Sequence, residues 1–91
     1  MQKKVEEYIM VGKENAISQA DIAMLANVPE RSVRLAIDDA RINRGKLIIG
    51  DDCGYYFPAD IEDVRGYVKR RRASIRTSRK ALEPFVKALG D

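Results

Sequence analysis

Ninety-one residues, 45% hydrophobic and 34% charged, suit one small folded domain of marginal stability and argue against wholesale disorder. One cysteine, Cys53, and no histidine exclude an intramolecular disulfide and a zinc site of the usual kind. The formal charge of +3 conceals a split, because eight Lys and Arg and no acid lie between Arg65 and Lys80, while the other nine cations stand against all fourteen acids.

A polyanion would feel that local charge before the molecular sum. The cysteine usage fits a reducing interior, the start MQKKVEEYIMVGKEN lacks the apolar stretch of a signal peptide, and no run is long enough to span a bilayer. The expectation is a soluble, cytoplasmic protein.

In chain order, Val5, Tyr8 and Ile9 recur at helical spacing, which predicts a first helix over Gln2 to Val11, capped by Gly12. Ile17 stands alone as a short strand. Ser18 then offers a hydroxyl cap, with Asp21 in the first turn, for a second helix over Gln19 to Ala26 that buries Ile22, Ala23 and Leu25. Asn27, Val28 and Pro29 close it, since a residue before proline is pushed out of the helical region. A third helix, PERSVRLAIDDARINR, begins near Pro29 or Glu30, sets Val33, Ile37 and Ala40 on one face and ends at Gly45. KLIIG and GYYF, separated by DDC, read as a β-hairpin, with alternate members of Tyr55, Tyr56 and Phe57 facing the core. After Pro58, Asp60 and Asp63 mark the start of a last, long helix.

Helix, strand, helix, turn, helix, hairpin is the order of a winged helix-turn-helix, and the phrase ISQADIAMLANVPERSVRLAI carries the resemblance over roughly residues 1 to 60. GYYFPADIEDVRGYV followed by a basic helix further resembles small phage-associated winged-helix proteins of Gram-positive bacteria. The resemblance implies a domain over residues 1–59, with the third helix in the major groove and the residues at its start nearest base edges. Arg31 and Arg34 lie three apart, and a guanidinium is well shaped for guanine or phosphate; Ser32 adds a hydroxyl. Two features count against a strong specific binder. Asp38 and Asp39 sit mid-helix, and the hairpin tip GDDCG carries Asp51 and Asp52, which phosphate would repel.

Residues 60–91 form the second unit. Positions 61, 64, 68, 71, 75, 78, 82, 85 and 89 alternate steps of three and four and read Ile, Val, Val, Arg, Ile, Ser, Leu, Phe, Leu. Tyr67, Ser74, Ala81 and Ala88 widen this seam. Arg65, Lys69, Arg72, Arg76 and Arg79 form a separate stripe roughly 100° round the helix. The pattern is an ordered amphipathic rod, about 24 Å long in its charged part at 1.5 Å per residue. Arg71 and Ser78 interrupt the seam, and Pro84 should kink or restart the helix near Glu83. The winged domain is expected to cover Ile61, Val64 and Val68. Val68 at that boundary, with Ile75, Leu82, Phe85 and Leu89 beyond it, then calls for a homodimer in which this helix packs against its counterpart or against the other subunit's domain.

The expected fold is therefore mainly α with a small hairpin. The leading functional expectation is a DNA-binding protein of transcription-regulator or phage-replication type, with double-stranded DNA as partner, no cofactor and no metal. RNA is a second polyanion the same charge could hold, and a membrane is disfavoured because the seam lacks tryptophan and is broken by Arg71. Catalysis has little support, since the acidic pairs are sequence neighbours whose side chains diverge, and Cys53 is read as an exposed, inert thiol. The rival expectation is a protein-interaction scaffold of a phage assembly with no specific DNA readout, for which the acidic hairpin tip speaks.

Overall fold

A computed structural model describes residues 4–90. It is mainly helical, with one small antiparallel hairpin and a long C-terminal helix. Ser18 Oγ accepts the Asp21 amide at 3.0 Å and starts helix α1, Gln19–Ala26. Asn27 ends it in the left-handed region at φ 56°, and the Val28 amide reaches back to the Ala23 carbonyl at 3.0 Å, so the last turn closes on its own carbonyls. Pro29 leads directly into α2, Glu30–Arg44, which stops at Gly45, where φ of 63° favours a residue without a Cβ. A three-residue turn thus joins the two helices. Ile22, Val33, Ile37 and Ala40 are fully enclosed between them, with Val28 packed at the turn.

Two expectations fail in this half. The first helix is absent: the chain makes one 3-10 turn over Val5–Tyr8, then runs extended to Val11, while Gln2 and Lys3 lie outside the described residues. Pairing wins over helix there, because Val11 bridges Phe57, the Phe57 amide donates to the Met10 carbonyl at 2.8 Å and the Gly12 amide to the Phe57 carbonyl at 2.9 Å. Gly12 accordingly does not cap a helix but precedes a second 3-10 turn, Lys13–Asn15. Leu25 is 58% exposed, and Ala26 takes the buried position expected of it.

The hairpin forms as β1, Ile49–Asp51, and β2, Gly54–Tyr56, with Ile49 opposite Tyr56 and Asp51 opposite Gly54. Ile17 joins its edge by two bonds with Tyr55, at 2.8 and 3.1 Å. Alternation gives the hairpin two used faces. Ile48, Tyr55 and Phe57 pack on the helical core, whereas Ile49 and Tyr56 are buried outside that cluster, Ile49 in a groove shared with Val64, Tyr67 and Val68.

Helix α3 runs over Ile61–Gly90. The Asp60 carboxylate accepts the Asp63 amide at 3.0 Å and Asp63 accepts the Ala59 amide at 2.9 Å, a reciprocal cap that fixes where the rod leaves the head. The expected restart at Glu83 does not occur, and Pro84 lies inside one continuous element. No residue of α3 is fully buried. Val64 and Tyr67 are half-buried against the head and Val68 is 38% exposed, but Ile61, expected to be covered, is 60% exposed. The rod projects: the radius of gyration is 15.9 Å, against about 12 Å for a compact chain of this length.

Candidate nucleic-acid interface

Three cationic groups can be built up from these elements. The first is at the start of α2, where Arg31 and Arg34 are exposed, Ser32 is half-buried, and neither arginine has an ion pair or hydrogen bond. Arg34 and Arg31 do not converge on one concavity. Arg34 alone lines an open cleft of about 450 Å³ between α2, the hairpin and α3, together with Ser18, Gln19, Tyr67 and Arg71.

Arg41 and Arg71 form the second group, and the sequence reading missed the part both play. Arg41 donates from Nε to the Ile48 carbonyl at 2.9 Å, lies 3.6 Å from Asp38, and its guanidinium sits 5.7 Å from the centre of the Tyr67 ring. One side chain therefore links α2, the hairpin and α3. Arg71, read from periodicity as a defect in the seam, faces the head and shares the cleft with Arg34. The available signal was that an arginine and a tyrosine stand one helical turn apart on a seam otherwise apolar at that end.

The same cleft holds Asp38, Asp51 and Asp52, so its three arginines are balanced by three carboxylates. Two of those acids are already engaged. Asp38 pairs with Arg41, and Asp51 accepts the Cys53 amide at 2.8 Å and the Tyr56 hydroxyl at 2.9 Å, with Lys13 at 3.8 Å. Asp51 thus points into the hairpin, which removes half of the acidity expected at its tip; Asp52 remains exposed. Burial pushes the Tyr56 hydroxyl above its ordinary pKa, the hydrogen bond to Asp51 and the nearby Asp51 charge push the same way, and Arg70 opposes them. Asp39 is likewise taken up, by Asn43 at 2.6 Å and Arg44 at 3.8 Å.

The third group is the stripe on α3. Lys69, Arg72 and Arg76 line one shallow groove with Val64, Arg65 and Val68, and Arg79 follows one turn on. All are exposed, and of the five only Arg65 is paired, with Glu62 at 3.3 Å. None of the stripe enters the Arg34 cleft, so the two cationic surfaces expected to act together face different sides of α3.

Among the described residues no cluster of three or more His, Cys, Asp or Glu could hold a metal ion, and no helix is long and apolar enough to cross a membrane. No family model matches the sequence, and no curated protein or solved structure matches it significantly.

Proposed function

We propose that the chain is a DNA-binding module of winged helix-turn-helix type in which α3 supplies most of the affinity. The observation that carries this reading is the row of unpaired, exposed cations Lys69, Arg72, Arg76 and Arg79 on a helix that is ordered and projects from the head. A cation already bonded to a carboxylate gains little from phosphate, whereas each of these can neutralise one and release its condensed counterion. The α1–turn–α2 unit, with Ile17 and the hairpin behind it, supports the winged reading, and it leaves Arg31 and Arg34 free on the helix that enters the major groove in that class.

The balance of charge in the cleft shifts weight from the head to the rod. Arg34 contributes specificity at one base step, and the stripe holds phosphate without regard to sequence. Fluorescence anisotropy with random duplex at low and moderate salt tests this. Tight binding that weakens steeply with salt supports it, and no binding at low salt removes it; a structured RNA run alongside tells which polyanion is preferred.

The neutral cleft is the specific observation favouring the second reading, a protein-interaction scaffold, because a surface with equal numbers of arginines and carboxylates suits a mixed-charge protein face better than phosphate. In that reading DNA retention is weak and unchanged by loss of the stripe.

A further inference from the structure

Helix α3 gives one face to the head at its beginning and leaves the same face bare at its end. Val64, Tyr67 and Val68 line one groove with Leu47, Ile48 and Ile49 of the head, and Arg71 lines the cleft beside α2. From there the face continues as Ile75, Ser78, Leu82, Phe85 with Val86, and Leu89, whose apolar members are 51% to 91% exposed. This uncovered edge is about 21 Å long. The head cannot turn back over it, because α3 is one unbroken element and the head sits at the other end.

We infer that a second copy of this chain covers the edge, with the two α3 helices antiparallel and a twofold axis passing by Leu82. The position of the head decides the direction. It occupies the seam face as far as Arg71, so parallel pairing would drive two heads into one space and set Arg71 against the partner's Arg71. Antiparallel pairing puts each head beyond the last turn of the other helix.

Three sequence features then agree about the same centre. Ile75 falls opposite the partner's Leu89, Leu82 opposite the partner's Leu82, and the small Ser78 opposite the bulky Phe85 and Val86 of the partner subunit. The flank Ser74, Ala81, Ala88 is small throughout and meets the same small flank of the partner, so the axes can approach to the short end of the usual ~8–10 Å. On the other flank Arg79 lies beside Val86 and Glu83 of the partner subunit, which gives its charge a counter-ion, while Lys69, Arg72 and Arg76 stay outside the contact. Five apolar side chains from each chain leave water, a small interface that fits a reversible dimer and not an obligate one. Such a dimer forms whatever the cationic stripe binds.

Sedimentation equilibrium of the full chain at high micromolar concentration should show a monomer–dimer equilibrium, and a strictly monomeric mass overturns the inference. Leu82→Lys should weaken the dimer about 100-fold or more, since the axis brings two copies of the change together. Leu82 is 57% exposed in a single chain, so the variant should keep its helical circular dichroism; Ala81→Lys on the small flank is the second variant, and dimerisation at wild-type strength in both defeats the assignment. For direction, a Cys53→Ser chain carrying Ile75→Cys is mixed and oxidised with one carrying Leu89→Cys. Mixed disulfides are expected, and disulfides formed mainly by Ile75→Cys with itself refute the antiparallel arrangement.

Discussion

The Tyr56 hydroxyl donates to Asp51 Oδ2 at 2.9 Å across the hairpin, so the residue that buries the outer face of β2 also holds the carboxylate at the tip of β1. Tyr56→Phe keeps the ring and removes the donor, leaving a largely enclosed carboxylate with one partner fewer. A loss of about 1 kcal/mol in urea unfolding is expected. The pH dependence has a definite sign. With the folded pKa raised, the contribution is fully present below the unfolded value of about 10 and is lost as pH rises through the folded value. Wild type should therefore lose stability on the alkaline side more than Tyr56→Phe, as measured by unfolding between neutral pH and the alkaline limit.

Gly54 has φ of 121°, and a Cβ there would lie 2.5 Å from the Ile17 carbonyl oxygen, which is itself bonded to the Tyr55 amide. Neither backbone can yield without breaking the bridge. Gly54→Ala should cost on the order of 2 kcal/mol, read as a lower thermal midpoint.

Arg41 holds a buried carbonyl, an acid and an aromatic ring at once. Arg41→Ala leaves the Ile48 carbonyl unsatisfied and should cost about 2 kcal/mol. It also frees Tyr67, so tyrosine fluorescence should change and the angle of α3 to the head, measured by small-angle scattering, should broaden.

The elements most legible in the sequence were those whose signals are local. Ser18, the Asn27–Pro29 turn and Gly45 fix both ends of α1 and α2 by caps that each residue makes with its own neighbours. The N-terminal segment differs for the opposite reason: Val5, Tyr8 and Ile9 carry helical spacing, yet the Met10 carbonyl and the Gly12 amide on either side of Val11 are claimed by Phe57, which lies forty-six residues beyond Val11 and leaves no trace in a periodic pattern. Arg71 was misjudged similarly, because where the head ends along α3 is a three-dimensional fact. Asp51 looked repulsive to phosphate when judged by charge alone, and only the Tyr56 hydroxyl opposite it shows the carboxylate turned inward.

Arg34 is exposed and unpaired at the cleft, whereas the stripe lies elsewhere on α3, so the two should separate experimentally. Arg34→Ala is expected to relax preference among duplex sequences at one step by about 1–3 kcal/mol, with little change in the affinity for random DNA. A selection from randomised duplex compared between wild type and variant reads this directly.

The proposed grip of the α3 cations on nucleic-acid phosphate is tested by the slope of log affinity against log salt for random duplex, measured for wild type and for the combined Lys69→Ala, Arg72→Ala, Arg76→Ala variant. A steep wild-type slope that falls by about 2.7 in the variant, at roughly 0.9 per lost phosphate contact, is expected. Equal slopes, or no measurable wild-type binding at low salt, rule that grip out.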